Sequence, residues 1–73
     1  MNQYPSISLV IPSFNGLKHL QDFLDKTMEV IARYKGQAEL VIVDDKSVDT
    51  SVQYLTEKAK QYEALSFYVN DRK

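Results

Sequence analysis

Seventy-three residues, no cysteine, nine basic against ten acidic side chains and 44% hydrophobic content describe one small soluble domain, or a piece of a larger one. Two domains are excluded by length, and the missing cysteine excludes a disulfide scaffold, a thiolate zinc site and a thiol nucleophile while suiting a reducing, cytoplasmic setting. A net charge of -1 supplies no phosphate-neutralising surface, so nucleic acid is not an expected partner. The first apolar run, Ile7 to Ile11, is too brief for a signal segment or a membrane span. A chain of this size buries only about 60% of the surface its unfolded form exposes, so its stability margin is narrow.

In chain order, Ile7-Ser8-Leu9-Val10-Ile11 is bounded by Pro5 and Pro12 and reads as a strand buried on both faces. Pro12-Ser13-Phe14-Asn15-Gly16 carries turn chemistry, with Asn-Gly able to take positive φ, and is expected to end that strand. Leu17, Leu20, Leu24, Met28 and Ile31 then recur at steps of three and four, with Phe23, Val30 and Tyr34 widening the stripe, which predicts an amphipathic helix. Gly36, following Arg33 and Lys35, stands where a C-terminal cap is expected. Leu40-Val41-Ile42-Val43 predicts a second buried strand that ends abruptly in Asp44-Asp45. Lys46 to Thr50 form a polar loop in which Asp49 or Thr50 can cap a second helix, with Gln53 completing a capping box if Thr50 is the cap. Val52, Leu55, Ala59 and Tyr62 give that helix its inward face, and Leu65-Ser66-Phe67-Tyr68-Val69 reads as a third strand.

Continuous apolar strands alternating with amphipathic helices predict an α/β chain, strand-helix-strand-helix-strand, with a parallel sheet and right-handed crossovers. This is one βαβαβ half of a Rossmann-like, three-layer fold. A fourth strand normally covers the far side of strand one; without it strand one is an edge, and the sequence reads as cut short.

Ligands of open parallel sheets bind beyond the carboxyl ends of the strands, which singles out residues 12–16 and 44–49 before any side chain is weighed. Neither a G-x-G-x-x-G fingerprint nor a phosphate-binding P-loop motif is present. What remains is an aromatic platform with polar handles: Phe14 can stack on a planar base, Ser13 and Asn15 can hydrogen-bond beside it, and an aspartate after strand two can accept from a base or a ribose hydroxyl. A carboxylate accepts from N3–H of uracil but meets a lone pair at N3 of cytosine, so an aspartate at the base edge favours uridine or thymidine nucleotides over cytidine ones, with guanine also offering a donor edge.

Together, Ile7 to Asn15 (ISLVIPSFN) and Val41 to Asp49 (VIVDDKSVD) resemble the opening of family 2 glycosyltransferases: a hydrophobic strand, Pro-Ser/Thr-Phe/Tyr-Asn, a helix, then Val-Asp-Asp-Gly-Ser-Thr-Asp. The resemblance covers essentially the whole chain, residues 1–73, and implies the nucleotide-binding half of a GT-A fold. It further implies transfer of a sugar from a nucleotide-diphosphate donor, by the base-edge chemistry a UDP-sugar, to a glycan, lipid or protein acceptor. By that resemblance Pro12, Phe14 and Asn15 line the nucleotide pocket, Asp45 meets the base edge, and Asp44 supports the loop or the ribose. Lys46, Val48 and Thr50 depart from the usual Gly, Thr and Gly. The family's Asp-x-Asp motif for Mg2+ or Mn2+ and its later acidic base have no counterpart within these residues, so the chain by itself is expected to be inactive, with no catalytic or metal-binding residue of its own. Polysaccharide assembly at the cytoplasmic face of the membrane is the family-level expectation, with any membrane association carried by regions outside this sequence.

Plainer readings stand beside these. Asp44-Asp45 could be a polar loop capping the next helix, Phe14 a hydrophobic plug, and Ser13 and Asn15 ordinary turn residues. His19 has no neighbouring ligand set, Lys58 and Lys60 read as a solvated face, and Tyr54, Tyr62, Phe67 and Tyr68 read as packing between the second helix and the sheet. The rival function is a non-catalytic α/β nucleotide-binding or interaction module. A response-regulator receiver, one version of it, carries paired aspartates after its first strand, where this chain has Pro12-Ser13.

Overall fold

The apolar periodicity after Gly16 becomes the longest element of the computed structural model, which describes residues 4–45 and 49–70. In chain order the elements are β1 (Ile7–Ser13), α1 (Leu17–Arg33), β2 (Ala38–Asp44), α2 (Ser51–Gln61) and β3 (Leu65–Val69). Lys46, Ser47 and Val48 of the polar loop, and the residues before Tyr4 and after Asn70, lie outside the described residues.

The three strands form one parallel sheet in the order β1-β2-β3. Register puts Leu9, Leu40 and Leu65 side by side, and likewise Ile11, Ile42 and Phe67. Side chains alternate between the faces of a strand, so these residues share one face. Leu20, Leu24, Met28 and Ile31 of α1 and Leu55 of α2 pack against it with Leu40, Ile42 and Leu65. Each such burial is worth about 1.5–3 kcal/mol. Both helices therefore cover the same face, as two right-handed crossovers in one direction require. The described residues build two layers, helices on sheet, of the three that a complete Rossmann-like half-domain pair has.

That arrangement corrects several expectations. β1 is an edge, as the missing neighbour implied, but it is not buried on both faces: Ile7, Leu9 and Val10 are exposed, Val10 by 61%. Among the described residues only one face carries helices, and only one side of β1 has a partner strand. β1 also runs two residues further than its turn-forming end suggested, with Pro12 opposite Val43 and Ser13 opposite Asp44. Pro12 is tolerated because N–H groups alternate in direction along the strand: Ile7 donates toward β2 and Ser13 accepts from it, so the missing donor at Pro12 faces the open edge. Tyr68 does not pack under α2; it pairs with Val43 on the helix-free face and is exposed.

Gly36 is not a left-handed cap, since no glycine has positive φ and α1 ends at Tyr34 in extended backbone. Its smallness serves a close approach. A Cβ at Gly36 would lie 2.7 Å from the Tyr34 ring and 2.8 Å from Cβ of Tyr4. Lys58 is not a solvated charge either: its side chain is 18% exposed and its Nζ lies 3.0 Å from Asp25 of α1, whose carboxylate also accepts from the Tyr62 hydroxyl at 2.7 Å. This trio joins the two helices. The Tyr62 hydroxyl, then Lys58, holds the Asp25 carboxyl below its ordinary range.

Candidate functional site

The carboxyl ends of β1 and β2 are adjacent because the two strands pair to their last residues, and the contact continues one step further, where the Asp45 N–H donates to the Ser13 carbonyl at 2.7 Å. The sheet thus brings Pro12, Ser13, Asp44 and Asp45 to one rim. Phe14, the residue after β1, has 63% of its surface exposed, and Asp45, the residue after β2, is exposed as well. Asp44, by contrast, is fully buried on the helix face. Of the two parts suggested for it, supporting the loop fits that burial.

The turn after β1 is made by Asn15, whose φ of 48° is the left-handed backbone that the Asn-Gly pair was expected to supply; Gly16 does not adopt it. Asparagine tolerates this region better than most residues because its short polar side chain bonds locally. Here the bond reaches further, since Asn15 Oδ1 accepts the backbone N–H of Asp49 at 3.3 Å. Gly16 also leaves room for its neighbour: a Cβ there would crowd Ser13 Oγ at 3.0 Å. That hydroxyl is buried and has no hydrogen-bond partner among the described residues. Orphaned buried hydroxyls are uncommon and point to a group that completes them. A shallow cleft of about 230 Å³ opens at this spot, lined among others by Pro12, Ser13, Phe14, His19 and Phe23. Asn15, Asp44 and Asp45 lie outside its lining, so the expected site residues form two adjoining groups.

Asp49 was read from sequence only as a possible helix cap. Thr50 occupies the cap position without a side-chain bond. Instead Asp49 Oδ1 accepts from both the N–H and the hydroxyl of the buried Ser51, and Oδ2 accepts the Leu17 N–H at 3.3 Å. The Ser51 hydroxyl leads in holding its carboxyl below the ordinary range. The signal available in the sequence was the run Asp49-Thr50-Ser51, an aspartate two residues before a helical serine, which forms a local side-chain turn; nothing in it specified the reach to Leu17.

Among the described residues no three His, Cys, Asp or Glu side chains come together as a cation site. No helix among the described residues is long and apolar enough to cross a membrane.

Parallel βαβαβ order with a functional rim at the strand ends is shared by many unrelated proteins. The family model described as glycosyl transferase family 2 matches residues 8–73. The chain belongs to that family. It is also 34% identical over 61 residues to an undecaprenyl-phosphate 4-deoxy-4-formamido-L-arabinose transferase of Photorhabdus laumondii subsp. laumondii, an alignment covering 84% of this chain and 19% of that protein. The chain thus spans about a fifth of that relative's length. For this member of glycosyl transferase family 2, the observed parallel sheet fits the GT-A half expected from its motifs, and both motifs, apart from Ile7, fall within the matched residues.

Proposed function

We propose that this chain supplies the nucleotide-binding part of a glycosyltransferase that uses a UDP-linked sugar. The observation that carries the reading is the rim itself: an exposed aromatic ring at Phe14 and an exposed carboxylate at Asp45 on neighbouring strand ends, joined through the bond from the Asp45 N–H to the Ser13 carbonyl. In this reading Phe14 stacks on the base, Asp45 accepts from N3–H of uracil, and Pro12 and Asn15 shape the wall. The unpartnered Ser13 hydroxyl receives a polar atom of the ligand, and Asp44 braces the loop from below. Sugar transfer requires groups beyond these, because the described residues hold neither a cation site nor an assigned base. Mg2+ or Mn2+ on the donor diphosphate belongs to that larger assembly. The acceptor class we carry over from the relative's name is a lipid phosphate, which suits work at the cytoplasmic face of a membrane.

Titration of UDP into the isotopically labelled chain, followed by amide NMR, tests the reading. Shifts concentrated at Ser13, Phe14, Asn15 and Asp45 are expected. A response confined to the groove at the opposite end of the helices, around Met28 and Gln61, or no response at all, would overturn it.

A further inference from the structure

We infer that Asp49 is the positioning residue of this site, holding the loop after β1 against the start of α2 so that the Phe14 platform and the Asp45 loop keep one relative geometry. The inference rests on the nucleotide reading above and adds to it a residue to which that reading gives no part. Three observations meet at Asp49. Its backbone N–H donates to Asn15 Oδ1 and its Oδ2 accepts the Leu17 N–H, two bonds that cross from one loop to the other on either side of Gly16. Its Oδ1 is meanwhile fixed by the N–H and hydroxyl of Ser51, which is itself fully buried at the start of α2. The carboxylate is thus anchored at the start of α2 and reaches outward to the three-residue connection, residues 14–16, between β1 and α1.

That turn benefits from holding because Asn15 is in the left-handed region, which glycine adopts freely and asparagine more readily than other residues but still at a cost. The two bonds at Asp49 brace this turn, and Phe14 is the residue immediately before Asn15. An aspartate is suited to this task where asparagine is not: both carboxylate oxygens accept, whereas a carboxamide offers one acceptor and turns a donor toward the other partner.

The test compares Asp49→Asn with Ser51→Ala, reading amide hydrogen exchange and uridine affinity in the 73-residue chain. Asp49→Asn removes the acceptor of the Leu17 N–H and is expected to speed exchange at Leu17 about tenfold and to weaken uridine binding by a similar factor, with the core amides of Leu40 and Ile42 unchanged. Ser51→Ala removes one of the two donors that fix Oδ1 but leaves both bonds between the loops, and is expected to give a clearly smaller loss in both readouts than Asp49→Asn. Unchanged Leu17 exchange in Asp49→Asn, equal loss in the two variants, or uniformly faster exchange through the core would overturn the positioning role. A parent chain that binds no uridine overturns the nucleotide reading instead, and the Leu17 exchange then decides the loop clamp by itself.

Discussion

Gly36→Ala separates a steric requirement from a conformational one. Where glycine holds ordinary backbone, replacement by alanine commonly stabilises by about 0.4–1 kcal/mol, because the unfolded chain loses freedom. Gly36 has no positive φ, so backbone preference alone predicts that gain. The surroundings predict the opposite. The new methyl carbon would stand 2.7 Å from the Tyr34 ring, 2.8 Å from Tyr4 Cβ and 3.1 Å from the Pro5 carbonyl oxygen. Carbon atoms rest at about 3.5–4.0 Å. Tyr34 cannot simply swing aside, because its hydroxyl donates to that Pro5 carbonyl at 2.6 Å and its ring meets Tyr4 edge to face with centroids 6.1 Å apart. Losing a hydrogen bond worth about 0.5–1.5 kcal/mol and an aromatic pair of about 0.5–1.5 kcal/mol outweighs the entropic gain. The expected result is a net destabilisation of about 1–2 kcal/mol, a sizeable part of the margin of a domain this small. Denaturant unfolding followed by far-ultraviolet circular dichroism and tyrosine fluorescence measures it, tryptophan being absent. A midpoint that rises in Gly36→Ala would refute the close-approach explanation.

Stability should also fall at both ends of the pH scale, through the contacts between and around the helices. Asp25 and Asp49 have folded pKa values below their ordinary 3.8, so their contributions are complete above about pH 4 and are lost as pH falls through the folded values; Asp25→Asn should remove part of the acid limb of a plot of unfolding midpoint against pH. Lys58 and Tyr62 are both raised by their hydrogen bonds to Asp25, so what they contribute is complete below their ordinary 10.5 and 10.0 and is lost as pH rises through the folded values. Tyr62→Phe should flatten the alkaline limb, and an unchanged limb would show that the hydroxyl bond to Asp25 does not matter to folding.

The fold was legible because its signals are periodic. The stripe of Leu20, Leu24, Met28 and Ile31 is the buried face of α1, and Leu40 and Ile42 are the centre of the sheet. What misled was everything that depends on neighbours. Ile7 to Ile11 has the composition of a strand covered on both sides, yet composition cannot say whether the covering layer is among these residues, and here both helices lie on one face. Tyr68 is apolar enough to pack, but strand alternation assigns it to the other face. Gly36 sat at the right place for a cap and serves an aromatic contact with a residue thirty-two positions earlier in the chain.

The candidate site divides the same way. That Pro12 to Asn15 and Asp44-Asp45 would meet at one rim followed from strand ends alone. The difference between a buried Asp44 and an exposed Asp45 follows from register, which turns successive side chains to opposite sides and puts Asp44 on the helix face opposite Ser13. The span of Asp49 across the two loops could not be read from spacing, since it joins positions more than thirty residues apart.

The base-edge role of Asp45 is tested most directly by calorimetric titration of UDP and CDP into the chain and its Asp45→Ala variant. A carboxylate that accepts from N3–H of uracil and faces a lone pair in cytosine predicts UDP binding at least about tenfold tighter than CDP, as one charge-assisted hydrogen bond is worth about 1.5–3 kcal/mol. Asp45→Ala should bring the two affinities together by weakening UDP alone. Equal affinities in the parent chain, or UDP binding unaltered by Asp45→Ala, would contradict the account.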